Sequence, residues 1–295
     1  AQAEPNQEIV LCGSSQEQES ETERTLEIIT DKAKAKELAA HLEDLVTKDG
    51  FEFYVLADGS SQQEYMPVGV AFGTTDGKTS YVPIDNDVLL AQGLTLGTFK
   101  EIFGRVLEHK KPIKCGYDTK YMKHVFANVG INLAGVSDDV MLESYVLEAH
   151  RSHTIEKLAA NWLKYELRGE EELLGKGAKK LSFSQVSVEK AAEFASERVF
   201  IVSRLNRLFK KALSDDAKLE KIYRDIEMPL SDVLFKMEQN GVLIDTKLLD
   251  QQTAQLNTKA RELEEQAFEV AGENFKLSSP KQLGEILFDK MGVVL

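Results

Sequence analysis

Up to about residue 187 the chain alternates short β-branched or aromatic runs with amphipathic stretches of helical period; beyond that residue the alternation stops. Alternation of this kind dictates a mixed α/β sheet flanked by helices, and an uninterrupted helical period dictates an all-α segment. TLEIIT (25–30), FEFYVLA (51–57) and PIKCG (112–116) carry the strand pattern. YMPVGVAFGTTDGKTSYVPI (65–84) reads as a hairpin, because two apolar runs flank Asp76-Gly77, a dipeptide that tolerates positive φ. Helices are expected over 31–50, 96–110, 118–130, 137–150 and 154–167, and then over 187–213, 216–241, 246–272 and 280–292. Pro229 should break or kink the second of the long helices, and VLID (242–245) should be an extended link. Ser279-Pro280 is an N-cap followed by a proline in the first helical position. The expected domain boundary falls near residues 213–216.

Charge narrows the classes of partner. The net charge is −13, so the overall field does not draw in nucleic acid, and any such contact must come from local basic patches. The acid is uneven. Residues 1–30 hold seven Glu against one Arg, a net of −6, which leaves −7 for the rest. Residues 1–24 are rich in Gln, Glu and Ser and read as a flexible acidic linker. The two cysteines, Cys12 and Cys115, lie far apart, which fits a reducing, cytoplasmic setting. No apolar run approaches the ~20 residues of a membrane span. The five histidines are scattered, without the spacing of zinc ligands. GKGAKK (175–180) is too short for a phosphate-cradling glycine loop and reads as a basic surface loop, with DNA contact as the alternative.

Five stretches then agree in order, composition and spacing with a known family: DVMLESYVL (139–147), LAANWLKYE (158–166), LGKGAKKLSFSQV (174–186), IEMPLSDVLFKMEQNGVLID (226–245) and AGENFKLSSPKQLGEILFDKMG (271–292). They resemble the large fragment of bacterial DNA polymerase I, a family A polymerase. The resemblance implies a ribonuclease H-like 3′–5′ exonuclease domain over 25–213, followed over 214–295 by the first helices of the polymerase domain, part of its thumb.

The family's exonuclease holds two divalent metals on four carboxylates. Its pattern is Asp-x-Glu on the first central strand, an Asp on a helix, and Tyr-x-x-x-Asp on the last helix. Carried onto this sequence, Asp-x-Glu falls on Tyr54 and Leu56, the helix Asp on Met122, and Tyr-x-x-x-Asp on Phe194 and Arg198. None of the five is an oxygen anion, the ligand a hard cation requires. The resemblance therefore implies a vestigial proofreading domain with no metal and no catalytic residue. One alternative is an active exonuclease with displaced ligands, Asp58, Asp118 and Asp139. Another is a binding module in which Tyr54, Phe194 and Arg198 line a cleft for single-stranded DNA or a protein.

NFKLSSPKQL (274–283) gathers hydroxyls, an amide, two lysines and a helix N-terminus, groups that suit phosphate oxygens. In the resembled family this segment is in the thumb, so Asn274, Ser278, Ser279, Lys281 and Gln282 are the expected contacts with primer–template DNA. The magnesium of the parent's polymerase site, and the motifs that hold it, are expected beyond Leu295. No cofactor is expected within this chain, no membrane contact, and a monomeric state.

Overall fold

The computed structural model describes residues 25–45, 50–74, 78–85, 93–111 and 114–293. The expected linker (1–24), Cys12 and the Asp76-Gly77 turn lie outside them. Contacts divide the chain into two compact units, one ending at Gln239 and one beginning at Asn240.

The first unit is organised by β2 (Phe51–Asp58), whose residues are nearly all buried on both faces. A run of Phe, Tyr, Val and Leu suits such a strand, because packing, not alternation, sets its composition. Around it stand β1 (Thr25–Ile28), β3 (Met66–Gly73), β4 (Lys78–Asp85), β5 (Leu94–Thr95), β6 (Lys114–Gly116) and β7 (Val136–Asp139). The order across the mixed sheet is β1-β4-β3-β2-β6-β7, with β5 beside β4. The pairs β2/β3 and β3/β4 are antiparallel, as a hairpin requires, whereas β2/β6 and β6/β7 are parallel.

Helices α1 (Lys32–Leu45), α2 (Leu96–Leu107) and α3 (Thr119–Asn128) bear on one face. Their apolar sides meet Phe53, Val55 and Phe72 there. The other face belongs to α7 (Val188–Ser214), which follows α4 (Val140–Leu147), α5 (Ile155–Leu158) and α6 (Glu170–Leu174) in the chain. β3 is built for α7. Its residues Gly69, Ala71 and Gly73 share a face by the two-residue period and make a low seat. A Cβ at Gly73 would stand 2.2 Å from Val199 Cγ1 of α7, and one at Gly69 would stand 2.0 Å from the Tyr81 hydroxyl.

Several expectations need correction. The helix expected over 137–150 begins only at Val140, because residues 136–139 form β7; Asp139 is the N-cap of α4, accepting from the Met141 N–H at 2.9 Å. The helix expected over 154–167 is one α turn continued as a π turn, Ala159–Leu163. Pro229 lies inside α9 (Met228–Asn240), and the distortion sits just before it: α8 (Ala217–Ile222) leads into a π turn, Tyr223–Glu227. A proline has no N–H to give and crowds the preceding turn, so the widened turn is where the strain goes. The expected boundary at 213–216 coincides with the α7–α8 turn, and α8 and most of α9 belong to the first unit.

α9 is fastened to α3 by charge. Lys120 and His124 both meet Glu238, Lys123 meets Asp232, and the His124 ring stands edge-on to Phe235 at 4.8 Å.

The second unit holds α10 (Thr246–Ala271), capped by Asp245 and stopped at Gly272 with φ of 74°, and α11 (Pro280–Gly284), which continues as a π turn to Lys290. Among the described residues, no helix is long and apolar enough to cross a membrane.

Candidate functional site

Tyr54 and Leu56 project from β2 toward α7, as their parity requires, while Phe53 and Val55 face the opposite core. Leu56 packs in the same apolar cluster as Phe194 and Val199. Phe194 and Arg198 are one helical turn apart on α7, so they lie on one side of that helix. The Arg198 guanidinium carbon stands 3.3 Å from the Phe194 ring centre and 5.9 Å from the Tyr54 ring centre. Nη2 donates to the Glu156 carboxylate at 3.0 Å and to the Arg168 carbonyl at 2.8 Å; Nη1 reaches the Phe194 carbonyl at 3.4 Å. The side chain is 1% exposed, and its Nε has no hydrogen-bond partner. Burial pushes the Tyr54 phenol up to about 12, with Arg198 pulling the other way.

Four of the five positions that the resemblance singles out therefore come together. Met122 does not join them. It is buried in the core on the α1–α3 side, against Gly116 and near Phe53. No oxygen anion stands at any of the five positions, so this set does not fit a magnesium pair. The cleft imagined as a basic, aromatic grip for single-stranded DNA also needs correction, because Phe194 and Arg198 are buried and offer no face for a base to stack on.

The displaced ligands are not assembled either. Asp58 follows a register shift between Leu56 and Ala57, where Pro67 across the hairpin has no N–H for the ladder. Its two carboxylate oxygens accept the N–H groups of Phe183 (2.6 Å) and Ser184 (3.0 Å). Asp118 caps α3 with φ of 51°, accepting from the Tyr121 N–H at 3.2 Å. Asp139 accepts from the N–H groups of Asp118 and Thr119 and from the Thr119 hydroxyl at 2.8 Å, tying the starts of α3 and α4 together. Among the described residues, no group of three or more His, Cys, Asp or Glu side chains could hold a metal ion.

Beside Arg198 opens a concavity of about 510 Å³ lined by Glu156, Gly169, Glu170, Glu171, Glu172 and Lys176. Its acidic wall repels a phosphate backbone. The basic loop GKGAKK folds against this wall: Lys176 pairs with Glu171 at 2.6 Å and Lys180 with Glu170 at 3.7 Å. Sequence reasoning missed Glu156 and the Arg168 carbonyl as partners of Arg198. Both are distant in the chain, and one is a backbone group that no residue type announces.

In the second unit Ser279 caps α11, accepting from the Gln282 N–H at 3.4 Å, and the Gln282 side chain accepts from the Lys276 N–H at 2.8 Å. Asn274, Ser278 and Lys281 are exposed around that helix start. The five expected contacts thus share one short surface, with Gln282 partly engaged in holding the loop.

Residues 61–205 match the family model "DNA polymerase I, ribonuclease H-like domain", and residues 246–295 match "DNA polymerase family A". DNA polymerase I of Pseudomonas aeruginosa is 38% identical over 235 residues, which cover 78% of this chain and 26% of that protein. DNA polymerase I of Synechocystis sp. is 32% identical over 232 residues (77% and 23%), and that of Rhizobium leguminosarum 33% over 189 residues (64% and 18%). The chain thus spans about a quarter or less of the curated relatives it matches. Among solved structures, the POL domain of Pol1 from M. smegmatis, in complex with DNA primer-template and dNTP, superposes with a TM-score of 0.66 at 24% identity, covering 92% of this chain and 41% of that one. The likeness to it is one of fold.

Proposed function

The chain belongs to the DNA polymerase I family, and from that premise we propose that it supplies the exonuclease-like domain and the first thumb helices of an enzyme that copies DNA in replication and repair. Its nuclease cleft no longer hydrolyses DNA and serves as a structural buttress. The observation that carries this reading is Arg198. A guanidinium that is buried, stacked on Phe194 and paired with Glu156 occupies the position that the resemblance assigns to the family's last carboxylate. The guanidinium fills that position and engages the Glu156 carboxylate, and Tyr54, Leu56 and Met122 supply no oxygen anion for a divalent ion. The alternative with displaced ligands gains no support, since the carboxylates of Asp58 and Asp139 are committed to backbone N–H groups. The thumb reading rests on the exposed Asn274, Ser278, Lys281 and helix start of α11, which suit primer–template phosphates. Magnesium would serve the polymerase site of the longer enzyme and no step of this chain.

The test is digestion of end-labelled single-stranded DNA with magnesium or manganese, with calorimetric titration of manganese alongside. No shortening and no heat of binding are expected. Metal-dependent shortening from the 3′ end that Asp58→Ala or Asp118→Ala abolishes would overturn the buttress reading in favour of displaced ligands.

A further inference from the structure

Residues 204–224 carry seven Lys and Arg (Arg204, Arg207, Lys210, Lys211, Lys218, Lys221, Arg224) against three acids (Asp215, Asp216, Glu220), a local excess of +4 in a chain of net charge −13. The chain folds this stretch into an elbow, the C-terminal half of α7 meeting α8 and its π turn. In the angle of the elbow lies a concavity of about 430 Å³, lined by Lys210, Lys211, Ser214, Glu220, Tyr223 and Arg224 among others. It shares no lining residue with the acidic concavity beside Arg198, although Arg198 and Lys210 both stand on α7, and it lies far in sequence from α11.

Two of its cations are fixed in place. Asp138, on β7 and 1% exposed, holds Lys210 at 2.7 Å through one carboxylate oxygen and Arg224 at 2.8 Å through the other. Arg224 also donates to the Ser137 carbonyl at 2.7 Å and lies over the Tyr223 ring at 4.8 Å. One carboxylate between two cations leaves an excess positive charge, and the ammonium and guanidinium keep further N–H donors for an outside anion. Behind Asp138, burial pushes the Glu143 carboxyl up to about 9, so at neutral pH Glu143 adds no charge to the wall. Lys211 is exposed on the same rim, and the Ser214 side chain adds a hydroxyl. Cations already immobilised lose little side-chain freedom when an anion arrives, which is the property of a prepared phosphate site.

We propose that this elbow is a second nucleic-acid contact, in which Lys210, Lys211 and Arg224 take backbone phosphates of single-stranded DNA. The contact reads no base, since no exposed amide or aromatic face accompanies the cations; it positions the strand. The choice of DNA rests on the polymerase reading above, whereas the site itself does not depend on the thumb contact or on the loss of nuclease activity.

The test uses the whole 295-residue chain, a fluorescent oligothymidylate, and anisotropy titrations across a salt series. Lys211→Glu is made in a Lys281→Ala background, so that binding at α11 does not mask the elbow. Lys210 and Arg224 cover a buried carboxylate, so removing either alone risks unfolding. The paired change Asp138→Asn with Lys210→Gln keeps hydrogen-bonding groups and the local net charge, and removes the Lys210 ammonium as a phosphate donor. Each variant is expected to weaken binding about fivefold, and Lys211→Glu to make the salt dependence shallower by about one phosphate contact. Unchanged affinity and salt slope in Lys211→Glu would overturn the proposal while leaving the thumb contact standing. Equal affinity for a polyglutamate peptide of matched length would overturn it in favour of an acidic protein partner.

Discussion

Glu143 stands on α4 with neither carboxylate oxygen hydrogen-bonded and with Asp138, Asp139, Lys210 and Arg224 near it. Burial raises its carboxyl from 4.5 to about 9, the neighbouring aspartates adding and Lys210 opposing. Between those limits the folded chain keeps a proton that the unfolded chain gives up. Stability therefore falls as pH rises through that window and is fullest below the unfolded value. Glu143→Gln should flatten this slope and stabilise the chain by on the order of 2 kcal/mol at pH 8, with little effect near pH 4. Denaturation midpoints across pH check it; an unaltered slope would mean that another group carries the linkage. Arg198 makes the opposite case. Arg198→Asp removes the stack on Phe194 and sets a carboxylate beside Glu156 in a buried site. It should destabilise by about 3 kcal/mol or more and yield no nuclease, measurable by thermal melting and by DNA digestion.

At the level of elements, α7 depends on the seat that β3 offers. Gly73→Ala would press a methyl into Val199 and should cost about 2 kcal/mol, of which Val199→Ala in the same chain should restore most. A double-mutant cycle read by denaturant unfolding decides it, and simple additivity would show that α7 yields elsewhere. Most of the elements were legible in the sequence because their signals are local: the apolar run of β2, the hairpin, the Ser279 cap, and Gly272 closing α10. β7 was not legible. VSDD has no apolar alternation, and it is a strand because β6 pairs with it and because Asp139 is needed to cap α4. The π turns at 159–163 and 223–227 were equally silent, since a widened turn has no residue code of its own. At the site, the meeting of Tyr54, Phe194 and Arg198 followed from strand parity, helical spacing and family resemblance. Glu156, and the charge clasp between α3 and α9, join residues far apart in the chain, and nothing local foretells them.

For the molecule as a whole, the two contacts proposed for DNA differ in what they ask of it. Lys281→Ala in the longer enzyme should weaken duplex binding about equally for all sequences and lower the salt slope by roughly one unit, as loss of a phosphate contact does. An unchanged slope would mean that Lys281 is merely hydrated. On the proposed reading, building a nuclease here asks for more. Tyr54→Asp, Leu56→Glu, Met122→Asp and Arg198→Asp together are the smallest set that supplies four acids, and any single member should leave the chain inactive in manganese-dependent digestion. Met122 is the weak link, because it points into the α1–α3 core. The low seat of β3 bears on this in one more way. By letting Val199 settle against Gly73, it sets the spacing between β2 and the preceding residue of α7, Arg198, whatever side chains those positions carry. The frame is thus a ruler, and a designer who wished to place new chemistry between positions 54 and 198 would inherit the distance ready-made.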